Sequence, residues 1–408
     1  MPLRSGFVSI LGRPNAGKST LVNALVGEKV AIVTRKPQTT RNRIHGVLEV
    51  DAVKGKHPAA QIVFVDTPGV HKPANLLDKR MLQEVYGALE TRNVVLHVVD
   101  VTRRLRLPEV KQKVTEIALD ALPLGGQTAG PSTAVAAATS ARDDNSSLLR
   151  SRSAQVAQAT GDDKSIQENA SSSSQSRHSE HSLENEDVYI LEMVKKLDCP
   201  VFLVLNKIDA IDTKESLLPL IAQFSSLHNY AEVIPVSARG GDGLERLVEK
   251  LVEYMPEGPR HFRKGQFTDQ PERFLAAEII REKILNLTGE EVPYSSAVVI
   301  ERFEERKMRA PLPGKPKPKP LTKISAAIFC ERSGQKAILI GKGGSMLKQI
   351  GIAARKELEA FLGMQVHLEL FVKIADDWRG SSAFLDSLDW RNQLEQLSRQ
   401  QSKAEDES

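Results

Sequence analysis

The chain has 408 residues, of which 40% are apolar and 26% are charged, and it carries a formal net charge of +4 and two cysteines. This length accommodates two or three domains with real cores, and so few cysteines exclude a disulfide scaffold and favour a reducing compartment. No apolar run approaches the roughly 18 residues that a membrane-spanning helix requires. The first residues lead directly into a strand-like segment, so we expect no signal or transit peptide.

Composition divides the chain into two ordered blocks and two segments predicted to be disordered. Residues 123–187 contain 14 Ser, no Phe, Trp or Tyr, and nine acidic against five basic residues. Residues 381–408 are similarly polar, with six acidic and three basic residues. Neither segment offers enough apolar surface to offset its ordering entropy. The predicted ordered blocks are 1–255, interrupted by the first segment, and 266–380, joined by a Pro- and Gly-containing linker at 256–265.

The first block alternates strands and helices. Buried apolar runs rich in Val and Ile predict strands of a parallel sheet, and amphipathic stretches between them predict helices. This order indicates a doubly wound, mostly parallel α/β sheet. The predicted strands are 7–11, 61–66, 94–100, 200–207 and 232–238, and the predicted helices include 76–89, 108–119 and 244–254.

A phosphate-binding motif follows the first predicted strand and opens a helix. The segment GRPNAGKS at 12–19 satisfies G-x-x-x-x-G-K-[ST] in the structural context that this pattern requires. Glycines let backbone N–H groups converge on phosphate oxygens, Lys18 is expected to reach the β- and γ-phosphates, and the Ser19 hydroxyl is expected to ligate Mg²⁺. The predicted nucleotide contacts here are Asn15, Ala16, Gly17, Lys18, Ser19 and Thr20.

A second motif, DTPG at 66–69, ends another strand of the same sheet. Asp66 is placed to hold Mg²⁺ through water, and the Gly69 N–H to sense a γ-phosphate. Alone, this motif is equally compatible with a strand-end turn. After a phosphate-binding loop it predicts that Asp66, Thr67, Pro68 and Gly69 belong to the nucleotide site.

The third motif specifies the base. In NKID at 206–209, the Asp209 carboxylate can accept hydrogen bonds from N1–H and the exocyclic amine of guanine, donors that adenine does not present there. Lys207 can cover the base plane, and Asn206 can tie this loop to the phosphate-binding loop. A following SAR sequence adds Ser237 and Ala238, whose backbone N–H can contact guanine O6. Together the motifs predict GTP or GDP with Mg²⁺ as the bound cofactors.

The second block has the order α-β-β-α-α-β and a net charge of +7 over 260–380. GKGG lies between two of its helices, where small residues allow a nucleic-acid backbone to approach. This is the GXXG clamp of a KH domain, here of type II, which holds about four single-stranded nucleotides. An ordinary turn between helices, capped by glycines, is the alternative interpretation. The predicted RNA contacts are Ile338, Ile340, Gly341, Lys342, Gly343, Gly344, Lys348 and Arg355.

A GTPase domain followed by a KH domain resembles the Era family of ribosome-assembly GTPases, over about 1–122 and 188–380. The resemblance implies GTP hydrolysis and binding of the 3′ end of small-subunit rRNA and of the small ribosomal subunit. RKPQTTRNRI at 35–44 resembles the family's switch I, which implies Thr40 as the second Mg²⁺ ligand, with Thr39 as the fallback. The residues expected to take part in hydrolysis are Lys18, Thr40, Asp66 and Gly69.

Catalysis lacks one familiar group. Val70 follows Gly69, where Ras-like enzymes carry a glutamine that orients the attacking water. Era-like GTPases share a hydrophobic residue here, so the resemblance implies slow intrinsic hydrolysis. Asn15 matches an asparagine that helps to bind K⁺ in related GTPases, and K⁺ is hypothesised to substitute partly for an arginine finger. Arg13 and Arg41 are alternative cations, for which structural or solvated roles are favoured.

We expect GTP to order 30–44 and 66–80 and thereby to bias the KH domain towards RNA binding. The segment 123–187 departs from the family pattern, and we expect it to leave the nucleotide site intact. Lysines 315, 317 and 319 are compatible with rRNA phosphates, weak contact with an anionic membrane, or a solubilising loop. A membrane-peripheral signalling GTPase and a tRNA-modifying GTPase are the rival functions. We expect a monomer in the cytoplasm, or in the chloroplast stroma or mitochondrial matrix if a presequence is missing.

Overall fold

The computed structural model describes residues 2–103, 186–306 and 321–392. The helix predicted at 108–119, most of the segment 123–187 and the three lysines at 315–319 lie outside the described residues. Within the described ranges, no helix combines the length and the apolar character that crossing a membrane would demand.

The first block builds a six-stranded sheet in the order β2-β3-β1-β4-β5-β6. Neighbouring strands are parallel except β2, which runs antiparallel to β3. The predicted doubly wound, mostly parallel sheet is thus confirmed. Strand β2 was not predicted from the sequence, and it lies at the sheet edge with four of its seven residues partly exposed. The strands are β1 (Arg4–Leu11), β2 (Ile44–Val50), β3 (Ala60–Asp66), β4 (Val94–Asp100), β5 (Val201–Asn206) and β6 (Glu232–Val236).

Helices cover both faces of this sheet because alternate strand residues point to opposite sides. On β4, Leu96 joins the core under α1 and α5, whereas Val95 joins the core under α2 and α3. Parallel strands place their carboxyl ends at one edge, where an α/β sheet binds its ligand. All the sequence motifs of the first block therefore meet there. The helices are α1 (Lys18–Val26), α2 (Leu76–Glu90), α3 (186–195), α4 (Leu217–Leu227) and α5 (Leu244–Tyr254).

The second block has the predicted α-β-β-α-α-β order, so its KH fold is confirmed. Its three strands lie in the order β7-β8-β9, with β7 and β8 antiparallel and β8 and β9 parallel. Ile280, Ala326 and Ile350 are fully buried in the core between helices and sheet. The elements are α6 (Glu272–Leu287), β7 (Ala297–Arg306), β8 (Leu321–Cys330), α7 (Ser333–Ile340), α8 (Ser345–Leu362) and β9 (Gln365–Ile374).

Two predictions of disorder are wrong at their margins. The segment from 381 contains helix α9 (Ser382–Leu388), and Leu385 and Trp390 are buried. Leu385 packs with Trp378, and Trp390 packs with Phe274. Composition concealed these few apolar anchors among polar residues. Similarly, the last two residues of 123–187 are the first described residues of α3.

The predicted linker is packed against the first block. The backbone N–H of Ser5 donates to the carbonyl of Pro256 at 2.9 Å. The Gln61 side chain accepts from the backbone N–H groups of His261 and Phe262 at 2.8 and 3.0 Å. A reorientation that moves residues 256–262 away from the first block would have to break these bonds.

Candidate active site and nucleic-acid interface

The phosphate-binding loop connects β1 to α1 through left-handed backbone at its last glycine. Gly17 has φ +92°, and a Cβ there would lie 2.3 Å from the Asn206 side-chain nitrogen. Lys18 Nζ donates to the carbonyls of Gly12 and Arg13, both at 3.0 Å. Burial lowers the pKa of Lys18 to about 8, although the charge of Asp66 opposes this shift. The ammonium is thus held inside the loop, where phosphate oxygens would meet it.

Three oxygen-bearing side chains converge beside this loop from three elements. Ser19 Oγ donates to Asp66 Oδ2 at 2.7 Å and lies 2.8 Å from Thr40 Oγ1, and Thr40 Oγ1 donates to the same carboxylate oxygen at 3.1 Å. Burial raises the pKa of Asp66, while the charge of Lys18 opposes this effect. Asp66 Oδ1 is buried without a hydrogen-bond partner among the described residues. Hard oxygen donors of this kind fit Mg²⁺.

The choice between the two threonines of switch I follows from these bonds. Thr40 contacts both Ser19 and Asp66, whereas the Thr39 hydroxyl bonds to Thr34 and to the carbonyl of Lys36. The structure thus brings Thr40, rather than the fallback Thr39, to the predicted metal position. Its role as a metal ligand stays a prediction.

The NKID loop is tied to the phosphate-binding loop as expected. Asn206 Nδ2 donates to the carbonyl of Ala16 at 2.9 Å, and Asn206 Oδ1 accepts from the Ala238 N–H at 3.0 Å. Lys207 Nζ donates to the Asn15 carbonyl at 2.9 Å. Asp209 Oδ1 accepts from the Ser237 hydroxyl at 2.6 Å, which fixes the carboxylate predicted to recognise guanine.

Sequence reasoning missed Asp100, which ends β4 between these motifs. Its Oδ2 accepts from Lys207 Nζ at 2.6 Å, and its Oδ1 accepts from the Thr102 N–H and hydroxyl. Although burial opposes ionisation, these hydrogen bonds lower the pKa of Asp100. Asp100 therefore holds the lysine that is predicted to cover the base. In the sequence, only its position at the end of a central parallel strand indicated that Asp100 could belong to the nucleotide site.

The two alternative cations are engaged elsewhere. Arg13 Nη1 lies 2.9 Å from Asp187 Oδ2, and its Nε lies 3.4 Å from Glu186 Oε2. Arg41 donates to the carbonyls of two residues of the second block, Ser296 and Tyr294, and lies over the Trp378 ring. Both arginines have structural partners, as favoured from sequence.

The last two residues of the segment 123–187, Glu186 and Asp187, lie directly beside the phosphate-binding loop through their contacts with Arg13. The motif residues are assembled in this structure, and the expectation that the segment leaves the site intact stays a prediction. Val70 is buried, and its N–H donates to the Gly12 carbonyl at 3.3 Å. Asn15 Nδ2 donates to the Arg35 carbonyl at 2.9 Å, so the residue predicted to bind K⁺ contacts switch I.

The GKGG segment forms an open turn between α7 and α8. Gly343 and Gly344 have φ +59° and +79°, and a Cβ at either would meet nothing within 4 Å. This backbone favours glycine, and the surrounding space lets another chain approach. Lys342 is exposed, and Ile338 is 51% exposed. An exposed isoleucine beside a glycine turn suits contact with bases.

The remaining predicted RNA contacts surround this turn. Ile340 and Gly341 are partly buried at the end of α7, and Lys348 and Arg355 are exposed on α8. Sequence reasoning did not identify the exposed Ile352 on the same helix. The positions are compatible with one surface, and their contacts with RNA stay predictions.

The fold, the phosphate-binding loop and the guanine-specifying loop define a P-loop GTPase with a KH domain attached. A family model described as "50S ribosome-binding GTPase" matches residues 7–125, and one described as "KH domain" matches 291–379. A GTPase Era of Heliobacterium modesticaldum is 38% identical over 96% of this chain and 99% of its own length. One of Syntrophus aciditrophicus is 38% identical over 92% and 91%. The chain belongs to the Era family and is a GTP-hydrolysing enzyme that uses guanine nucleotide and Mg²⁺.

Two solved structures support the same family assignment. An Aquifex aeolicus Era variant bound to GDP·AlF₄⁻ has a TM-score of 0.68 and 32% identity, covering 94% of this chain and 98% of that one. An Era in complex with MgGDPNP and nucleotides 1506–1542 of 16S ribosomal RNA also has a TM-score of 0.68 and 32% identity, covering 95% and 98%. The predicted resemblance to the Era family is therefore confirmed.

Proposed function

We propose that this chain is a GTP-dependent switch that binds the 3′ end of small-subunit rRNA through its KH domain and assists assembly of the small ribosomal subunit. The structure of a relative in complex with 16S rRNA nucleotides supports small-subunit rRNA as the ligand. The open GKGG turn supplies a place where this RNA could bind. The residues proposed to hold RNA are those around this turn. Assistance to subunit assembly goes one step further and rests on the family resemblance.

The single observation that carries the switch is the contact of the KH domain with the segment 30–44, which includes switch I, and with the neighbouring Lys29. Glu282 of α6 accepts from the Val33 N–H at 2.9 Å and forms an ion pair with Lys29 at 2.8 Å. Arg281, on the same helix, donates to the carbonyl of Thr39. The next residue, Thr40, is the one bonded to Ser19 and Asp66. A change at the γ-phosphate that moves Thr40 must therefore strain or break contacts with α6.

The segment after DTPG makes a second contact. Leu77 and Met81 of α2 are buried with Trp378 and Leu385, beyond the end of β9. Arg80 forms an ion pair with Asp386 at 2.8 Å. Both segments that GTP is expected to order thus touch the second block. Because both segments contact the second block, a change in the bound nucleotide can alter RNA binding through them.

Crosslinking the protein to RNA in cells and sequencing the fragments tests the proposed ligand. Gly343→Asp should abolish recovery of the small-subunit 3′ end, because it adds a charge and a side chain to left-handed backbone in the clamp. Lys54→Ala, an exposed substitution in the first block, is the matched control and should retain it. Enrichment of tRNA or mRNA by the wild-type protein would overturn the proposal.

We also propose that K⁺ stimulates hydrolysis, with Asn15 among its ligands. Asn15 has left-handed backbone at φ 63° and links the phosphate-binding loop to switch I through Arg35. This link places its side chain where both loops meet. Replacing K⁺ by Na⁺ at constant ionic strength should slow hydrolysis, and an unchanged rate would contradict the assignment.

A further inference from the structure

Three polar side chains form a connected group between switch I and α2. Gln38 Nε2 lies 3.1 Å from His71 Nε2, and His71 Nδ1 lies 2.9 Å from the carbonyl oxygen of Gly69. Asp78 Oδ1 lies 3.3 Å from His71 Nε2. None of these three side chains has a role in the site described above. Gln38 adopts φ 57°, a conformation that a residue other than glycine adopts only when its surroundings impose it.

The position of Gln38 is the first reason to assign it a function. Together with Lys18, Thr40 and Gly69, it lines an open pocket over the phosphate-binding loop. Val70, which stands where a glutamine orients the attacking water in Ras-like enzymes, is 1% exposed and packs in an apolar core. Gln38 thus supplies at this pocket an amide side chain, which Val70 cannot provide.

The hydrogen-bond pattern orients this amide when the His71 ring is neutral. A carbonyl oxygen can only accept, so His71 Nδ1 must donate to Gly69 and therefore carries a proton. In a neutral imidazole the Nε2 atom is then an acceptor, and Gln38 must turn its Nε2–H towards it. The Gln38 Oε1 atom is left to accept from another donor, and the pocket offers a water molecule that position.

We propose that Gln38, oriented by His71, aligns the water that attacks the γ-phosphate of GTP. In this step the water oxygen forms a bond to the γ-phosphorus while the bond from that phosphorus to the β–γ bridging oxygen breaks. The electron pair of the broken bond stays on GDP, and the water protons pass to the phosphate product and to solvent. An amide does not take up a proton here, so Gln38 acts by alignment. His71 is a positioning residue.

Protonation of His71 should interrupt this arrangement. A protonated ring donates from Nε2 to Asp78 and no longer accepts from Gln38. Burial opposes this protonation, but hydrogen bonds to Asp78 and Gly69 outweigh it and raise the pKa of His71, with the charge of Glu186 adding to the effect. The hydrolysis rate should therefore fall as the pH decreases through a value above the ordinary pKa of histidine, about 6.5.

The test compares Gln38→Ala and His71→Ala with Lys72→Ala, an exposed neighbour on the same loop. Gln38→Ala should lower the single-turnover hydrolysis rate roughly 10- to 100-fold, the scale of a misaligned reactant. Its affinity for GDP and for a non-hydrolysable GTP analogue should stay within about twofold, because uniform binding is not lost. Fluoroaluminate beside GDP mimics the transferring phosphoryl group. The fluoroaluminate-dependent retention of fluorescent GDP should therefore weaken in Gln38→Ala. Lys72→Ala should match the wild type in all three measurements.

The double variant separates positioning from a purely structural role. If His71 acts through Gln38, then the double variant should be no slower than Gln38→Ala, and Gln38→Ala should lose the acid limb of the pH profile. A wild-type hydrolysis rate in Gln38→Ala would overturn the proposal. The proposal would also be overturned if the rate losses of the two single variants multiplied in the double variant, or if the affinity for the GTP analogue fell as much as the hydrolysis rate.

Discussion

Glu282→Gln tests whether the contact between α6 and the segment 30–44, which includes switch I, transmits the nucleotide state. The Glu282 side chain is 4% exposed and pairs with Lys29 and with Lys283, at 2.8 and 2.6 Å. Although burial opposes ionisation, hydrogen bonds from these lysines lower the pKa of Glu282. The substitution removes the charge yet keeps an oxygen that can accept from the Val33 N–H.

The magnitude follows from the bonds that are weakened. The ion pair with Lys29 becomes a hydrogen bond from a charged donor to a neutral acceptor, and the bond from the Val33 N–H becomes neutral. Since Lys29 is 40% exposed, solvent screening reduces its share. The contact should lose about 1–2 kcal/mol, which is comparable with a typical coupling free energy of about 1–3 kcal/mol between sites. The nucleotide dependence of RNA affinity should therefore fall by about tenfold, or disappear.

The assay is fluorescence anisotropy of a labelled oligonucleotide from the small-subunit rRNA 3′ end, titrated with protein in Mg·GDPNP or in Mg·GDP. Glu272→Gln, at the exposed start of the same helix, is the matched control and should keep the wild-type ratio of affinities. GDP affinity should be unchanged in both variants. A Glu282→Gln protein with the full wild-type ratio would refute the reasoning that this contact carries the coupling.

Four further outcomes are expected. Asp209→Asn should lower GDP affinity by a factor of 100 or more, because two charge-assisted hydrogen bonds to guanine are lost, and calorimetry that finds wild-type affinity would contradict the base assignment. Thr40→Val should reduce the Mg²⁺ dependence of GDPNP binding while sparing GDP binding, and equal losses for both nucleotides would argue against a metal role. Trp390→Ala should destabilise the protein by about 3 kcal/mol through a cavity beside Phe274, visible in denaturant unfolding, and an unchanged midpoint would show that this packing does not form. Burial lowers the pKa of His97 to about 3, so as the pH decreases His97 takes up a proton in the unfolded protein before it does so in the folded one. The free energy of unfolding should therefore fall as the pH decreases from about 6.5 towards 3. His97→Gln should flatten this acid limb, and an identical slope would exclude His97 as its source.

The sequence predicted the elements whose signals are local. The apolar runs of β1, β3, β4, β5 and β6 and their motifs lie close together in sequence, so periodicity and spacing identified them. Edge strand β2 carries a mixed pattern and gave no such signal. Thr39 and Thr40 are adjacent and chemically equal, and only the bonds of Thr40 to Ser19 and Asp66 distinguish them.

The contacts between the two blocks were beyond sequence reasoning. Arg41 and Ser296, or Val33 and Glu282, are about 250 positions apart in the chain, and nothing in either segment marks its partner. The same holds for Gln38 and His71, which meet only because switch I folds over the end of β3. Composition also misled at Leu385 and Trp390, since a few anchors suffice to order a polar segment against an existing core.

The most direct test of the proposed switch is the affinity of the wild-type protein for the 3′-end RNA in its two nucleotide states. Since both segments expected to respond to GTP contact the second block, we expect at least about tenfold tighter binding in Mg·GDPNP than in Mg·GDP, within the usual range of coupling between sites. Equal affinity in the two states would contradict the coupling, even if both sites bound their ligands.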